Sequence, residues 1–393
     1  MLGAIFGDIV GSIYEFNNIK TTRFELLDKR CTFTDDSILT IAVADWLMDD
    51  SPNLGRLKFS LERYVKKYPN PMGGYGSQFQ QWIYSDEQKP YNSWGNGSAM
   101  RVAAVGWAFD TLEKTEEIAK VTAEITHNHP EGIKGAQATS AAIYMARTCS
   151  TKKEIKEYIE NKYGYNLSRT CDEIRPNYSF NESCMETVPE ALVAFLDSSD
   201  FESAIRLAVS LGGDSDTLAC ITGGVAEAFY GMKYSIPETT HSDYNQVIFD
   251  EEAIGRLPED LKAVVFEFYQ KFVSKNKRFW AKNDSATVWG EEQWIKTNLD
   301  DKCLSPESFR SFLKSYGPDW DMRFGVYYED GWHYVYRSYY LLKKFKFQEL
   351  NDGLYHLIES YTTEKECDTD LIEEVLWCPY FKPPYTYKQR SIV

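Results

Sequence analysis

The sequence predicts a mainly α protein: an orthogonally packed all-α domain over residues 1–275, then a smaller C-terminal α+β unit over residues 276–393. Three observations carry this expectation. Apolar residues recur at helical spacing almost without interruption up to about Lys275, with short loops between the runs. Residues 276–393 then hold 25 aromatic side chains in 118 positions, against 34 in the preceding 275, so the composition shifts. Within the aromatic stretch the periodicity also turns from helical to alternating.

In chain order, Gly7 to Glu15 reads as a helix with Asp8, Ser12 and Glu15, spaced by four and three, on one face. Gly7 and Gly11 thin that helix, which allows a backbone or a ligand to come close. Ile38, Leu39, Ala42, Val43, Trp46 and Leu47 predict a helix over 36–48. Glu116 and Glu117 read as the first turn of a helix running towards Thr126, with Ile118, Val121 and Ile125 on its apolar face. Residues 131–147 are rich in small side chains, which suits a helix packed closely on all sides. Asp200 is suited to cap a helix over 201–211, Gly212-Gly213 to end it, and a further helix runs from Asp216 towards Tyr230. In the second unit Phe324, Val326 and Tyr328 alternate, Glu329-Asp330-Gly331 supplies a turn, and Trp332, Tyr334 and Tyr336 alternate again, which predicts a hairpin. Pro379, Pro383 and Pro384 predict an extended tail.

Composition narrows the function classes. Lys and Arg total 43 against 59 Asp and Glu, a balance of −16, so no general nucleic-acid binding is expected. The eight cysteines are scattered without a CxxC pair, as reduced thiols are and a zinc site is not. The N-terminus lacks a basic flank and Asp8 interrupts its apolar run, so no signal peptide is expected. No stretch approaches transmembrane length, and the expected location is cytoplasmic. The sequence carries no signal of oligomeric state.

Four segments hold more chemistry than packing requires. The Asp8-Ser12-Glu15 face is the first; a capped helix with a solvated polar stripe would look the same. Thr34-Asp35-Asp36 is the second, three hard oxygen donors at a helix start, suited to Mg²⁺ or Mn²⁺. An ordinary N-cap would also explain it. Gly212-Gly213-Asp214-Ser215-Asp216-Thr217 is the third, and one capping aspartate does not call for Asp214, Asp216 and Thr217 together. The fourth, Ser93-Trp94-Gly95-Asn96-Gly97-Ser98-Ala99-Met100-Arg101, exposes backbone N–H groups at Gly95 and Gly97 and hydroxyls at Ser93 and Ser98 able to cradle a diphosphate, with Trp94 as a stacking surface for a base. An Asn-Gly turn before a buried helix is the plainer reading. Thr126-His127-Asn128-His129 holds two of the five histidines; no third zinc ligand accompanies them, so a hydrogen-bonding histidine at a helix end is expected.

These segments, in this order, resemble the ADP-ribosylglycohydrolases, the group that includes the dinitrogenase reductase-activating glycohydrolase; the likeness covers roughly residues 1–275. The resemblance implies an all-α fold with two Mg²⁺ (or Mn²⁺) ions. Thr34, Asp35, Asp36, Asp214, Asp216 and Thr217 fall on the family's metal-ligand positions, and Glu15 on a position of metal contact or proton transfer. Ser93, Trp94, Gly95, Asn96, Gly97 and Ser98 match the loop that holds ADP-ribose, with Trp94 near the adenosine, and His127 matches a ligand-contacting histidine. The C-terminal unit departs from the family's minimal form.

The expected function is metal-dependent hydrolysis of the bond between ADP-ribose and a modified target, with Glu15, Asp35 and Asp36 as catalytic residues. The expected partner is an ADP-ribosylated protein or another ADP-ribosyl conjugate. Two other readings stand beside it. One is a non-catalytic or immunity-type binder of ADP-ribosylated partners or of an ADP-ribosylating toxin, suggested by the aromatic C-terminal unit. The other is a dinuclear phosphohydrolase with the same hard ligands.

Overall fold

The computed structural model describes residues 1–49, 51–148, 150–231 and 254–273, and in the C-terminal part residues 295–297, 302–304, 325–329, 332–337, 340–349, 354–362 and 388–389. The chain divides into two units, Met1–Lys277 and Arg278–Val393.

The first unit is helical. Its elements are α1 (Leu2–Gly11), α2 (Asp35–Met48), α3 (Leu54–Lys67), α4 (Ser77–Ile83), α5 (Gly97–Met100), α6 (Ala103–Ala108), α7 (Leu112–Glu124), α8 (Pro130–Arg147), α9 (Lys152–Tyr163), α10 (Cys171–Ile174), α11 (Cys184–Asp197), α12 (Phe201–Ser210), α13 (Ser215–Tyr230) and α14 (Glu259–Phe268). Every residue of α1 is buried, as is α13 from Ser215 to Ala228, so these two helices form the centre of the core. Glycine makes their close crossing possible. A Cβ on Gly7 would lie 1.9 Å from the carbonyl oxygen of Ala219, and one on Gly11 would lie 2.5 Å from the Cα of Asp216. A larger side chain at either position would force the backbones apart.

Local signals set most helix ends. Thr34 caps α2 by accepting the Asp36 N–H, and Asp200 caps α12 by accepting the Ser203 N–H. His129 caps α8, its Nδ1 accepting the Glu131 N–H at 3.1 Å ahead of Pro130 at the first helical position. Two expectations are corrected. Helix α7 starts at Leu112 with Thr111 as its cap, so Glu116 lies past the first turn; it is buried and receives the hydroxyls of Tyr158 and Tyr163 and the ammonium of Lys162. The regular helix carrying Asp8 ends at Gly11, and a 3₁₀ turn over Ser12–Tyr14 leads to Glu15, so the stretch from Gly7 to Glu15 is not one regular α-helix. Among the described residues no helix is long and apolar enough to cross a membrane.

The second unit carries an antiparallel sheet of β1 (Ile295–Lys296), β2 (Lys302–Leu304), β3 (Gly325–Glu329), β4 (Trp332–Arg337), β5 (Tyr340–Glu349), β6 (Tyr355–Thr362) and β7 (Lys388–Gln389). The strand order is β3-β4-β5-β6-β2-β7, with β1 also paired to β6. Strands β3 and β4 pair with Glu329 opposite Trp332, as a hairpin requires; the Asp330-Gly331 turn itself and the proline-containing tail lie outside the described residues. His333 and Val335 are buried on β4, and Leu342 and Phe345 on β5.

Candidate functional site

The site is built where α1, α2 and α13 begin or end. Asp8 is fully buried, and its carboxylate accepts the Thr34 N–H at 3.0 Å, the Thr34 hydroxyl at 2.6 Å, the Ser37 N–H at 3.1 Å and the Ser37 hydroxyl. It anchors the start of α2. Thr34 passes the constraint on by accepting the Asp36 N–H at 3.2 Å, so the cap that starts the helix also orients the two aspartates after it.

At the start of α13, Gly212 and Gly213 adopt φ of +71° and +76°, a turn that glycine makes without strain. Asp214 occupies the N-cap position but makes no side-chain cap; its Oδ2 instead accepts Asn96 Nδ2 at 2.7 Å. The side chain of Asn18 clasps this turn. Its Oδ1 accepts the Gly213 N–H at 2.7 Å, and its Nδ2 donates to the carbonyls of Gly213, Tyr14 and Glu15 at 2.8, 2.7 and 2.9 Å. One amide therefore joins the Glu15 segment to the α13 turn.

These segments enclose a cleft of about 460 Å³ that Glu15, Asp35, Asp36, Asp214, Asp216 and Thr217 line together with Ser93, Gly95, Asn96, Gly97 and His127. One carboxylate oxygen from each of Glu15, Asp214 and Asp216 lies within 4.8 Å of the others. Such crowding disfavours full ionisation. Burial, then Asp214 and Asp8, raises Glu15 to about 7. Burial and neighbouring carboxylates likewise raise Asp35, Asp36 and Asp216 well above the usual range. Burial raises Asp214, while hydrogen bonds from Asn96 and Thr217 oppose the shift.

Protons or cations must compensate this charge, and the donors fit a hard divalent cation. Among the described residues, Oδ2 of Asp36 and Oε2 of Glu15 are buried without a hydrogen-bond partner, and Glu15, Asp214 and Asp216 offer only carboxylate oxygens.

Thr34, Trp94 and Ser98 do not line this cleft. The Thr34 hydroxyl is taken up by Asp8 and the α2 cap. Ser98 is buried and donates to the Gly132 carbonyl at 2.7 Å, fastening the loop to α8. Trp94 is half exposed, edge-on to His129 with ring centroids 5.5 Å apart.

Sequence reasoning gave Arg101, at the end of the fourth segment, no role, and it missed other lining residues: Phe16, the segment from Gly73 to Phe79, Tyr91 and Glu182. Met72-Gly73-Gly74-Tyr75-Gly76-Ser77 is a second glycine-rich segment, and that was the available signal. Its Gly73 sits so close to Glu15 that a Cβ there would lie 2.6 Å from Oε2. For Asn18, a polar residue in a loop, no local signal exists.

The fold agrees with that of known proteins. It belongs to the ADP-ribosylglycohydrolase family, whose model matches residues 1–270. Among its relatives, ADP-ribosylhydrolase ARH3 of Mus musculus is 24% identical over 319 residues, covering 61% of this chain and 84% of that protein. ADP-ribosylarginine hydrolase Tri1 of Pseudomonas putida is 22% identical over 267 residues, covering 61% of this chain and 71% of that protein. A solved structure described as an ADP-ribosylglycohydrolase-related protein complex shares the fold with a TM-score of 0.52 at 20% identity, covering 69% of this chain and 96% of that one.

Proposed function

We propose that the protein hydrolyses the glycosidic bond between ADP-ribose and a modified target, with two Mg²⁺ or Mn²⁺ ions held by Asp35, Asp36, Asp214, Asp216 and Thr217 beside Glu15. One observation carries the reading: carboxylates from helix starts about 180 residues apart in the chain meet in one cleft beside a glycine-rich loop. Relatives described as ADP-ribosylhydrolases support the reaction class.

The chemistry supplied by such cations is Lewis-acid polarisation of sugar hydroxyls and of an attacking water. The chain's own groups account for the remainder. The backbone N–H of Gly97 and the hydroxyl of Ser93, held in place by accepting the Gly95 N–H at 3.1 Å, are suited to a diphosphate. The carboxylates stabilise positive charge developing at the anomeric carbon. Glu15 is suited to exchange a proton, since among the described residues its buried Oε2 has no hydrogen-bond partner. In the reaction the bond from the anomeric carbon to the target breaks, water adds its hydroxyl to that carbon, and its proton goes to the leaving atom.

The test is a panel of defined ADP-ribosyl conjugates assayed with Mg²⁺, with Mn²⁺ and with chelator. Metal-stimulated release of free ADP-ribose is expected, and its loss in Asp35→Ala and Asp216→Ala with helical circular dichroism retained. Release of inorganic phosphate instead would make the protein a phosphohydrolase. Tight binding without turnover would make it a binder.

A further inference from the structure

His127 lines the cleft at the end of a short chain of hydrogen bonds. Its Nδ1 lies 2.7 Å from Oγ1 of Thr126, and Nη2 of Arg101 donates to that same Oγ1 at 2.8 Å. The directions follow from the donor inventory. A guanidinium only donates, so the Thr126 oxygen accepts from Arg101 and its single hydrogen needs an acceptor. Among the described residues His127 Nδ1 is the partner that hydroxyl has. With Nδ1 accepting, a neutral imidazole carries its hydrogen on Nε2. Nε2 faces the glycine-rich loop: a Cβ on Gly95 would lie 3.5 Å from it and one on Gly97 3.3 Å.

We propose that Arg101 and Thr126 are positioning residues that lock His127 as its Nε2–H tautomer, presenting a neutral N–H donor to an anionic oxygen of the substrate. The oxygen's assignment to the diphosphate of ADP-ribose rests on the function proposed above; the tautomer does not. Three features of the site favour this arrangement. Burial, then the charge of Arg101, holds the imidazole well below its ordinary pKa, so it stays neutral. Arg101 is itself buried, and among the described residues its Nε and Nη1 have no hydrogen-bond partner, so its charge is little screened where it meets Thr126. The opposite tautomer would turn a nitrogen lone pair towards the anion and repel it.

Long-range ¹H–¹⁵N correlation spectra of the labelled full chain near neutral pH read the tautomer directly, with His127→Gln identifying the resonance. Expected are a protonated, pyrrole-type Nε2 and a pyridine-type Nδ1; the reverse assignment overturns the proposal. Thr126→Val should abolish the preference and raise KM for an ADP-ribosyl conjugate roughly tenfold with a smaller change in kcat, while Thr126→Ser restores both. An unchanged tautomer in Thr126→Val overturns the relay. Should the tautomer be as stated while ADP-ribose itself fails to move the Nε2 resonance, the donor role falls, and the conjugate panel decides the reaction independently.

Discussion

Asn96 Nδ2 donates to Asp214 Oδ2 at 2.7 Å, joining residues 118 positions apart in the chain. The same nitrogen donates to Thr187 Oγ1 at 3.1 Å, and the Asn96 N–H reaches the Glu182 carbonyl at 2.7 Å. The glycine-rich loop and the acidic start of α13 are therefore one fixed unit, and a shift in either moves the other.

Asn96→Ala removes a hydrogen bond to a buried carboxylate, worth about 1.5–3 kcal/mol. We expect kcat/KM for ADP-ribose release to fall roughly 10- to 100-fold. Asn96→Asp, which sets carboxylate against carboxylate, should be at least as damaging. Steady-state kinetics of both variants check this, and a wild-type value in either removes Asn96 from the site's support.

Gly73 and Gly74 offer a matched pair. Both have positive φ, +76° and +82°, but a Cβ on Gly73 would strike Glu15 whereas one on Gly74 meets nothing within 4 Å. Alanine at either position should cost about 1–2 kcal/mol of stability from backbone strain. Only Gly73→Ala should also lower kcat, by tenfold or more. Thermal melts and kinetics on the two variants separate strain from displacement of Glu15.

Divalent cations should stabilise the fold. Binding to the native state alone contributes about 2.7 kcal/mol at a concentration of 100 times Kd. Mg²⁺ or Mn²⁺ should raise Tm in the wild type and chelator should lower it. Asp216→Ala, which removes one of the three clustered carboxylates, should show little of either effect. A cation-induced shift of equal size in Asp216→Ala would exclude this cluster as the binding site.

His333 should make the C-terminal sheet sensitive to acid. Burial depresses its pKa from 6.5 to about 4, against the favourable contact of Nδ1 with the Phe345 carbonyl. For a base whose folded pKa is lowered, the unfolded chain binds the proton first. The contribution is therefore complete above pH 6.5 and is lost as pH falls towards 4, by about 3 kcal/mol in all. Hydrogen-exchange protection of the amides in β4 and β5 should weaken between pH 7 and pH 4.5 in the wild type. It should weaken less in His333→Gln.

Features that depend on neighbours in sequence were legible. Asp200 was readable as a cap because a capping bond spans only three residues, from its side chain to the Ser203 N–H. The Asp-Gly hairpin between alternating runs was readable because strand pairing across a two-residue turn is local. Glu116 misled because a carboxylate near a helix start ordinarily favours the helix dipole, whereas here α9 supplies Tyr158, Lys162 and Tyr163 as its partners.

The sequence by itself determined the class of fold and the chemical hardness of the donors, since helical periodicity, caps and runs of Asp and Thr are properties of short stretches. Only the tertiary structure decided that Asp8 anchors α2, that Asn18 clasps the Gly213 turn, and that Arg101 reaches His127 through Thr126. The physical reason is range. Each of these bonds depends on how closely helices pack, and that closeness comes from contacts such as Gly7 against Ala219, which connect positions far apart in the chain.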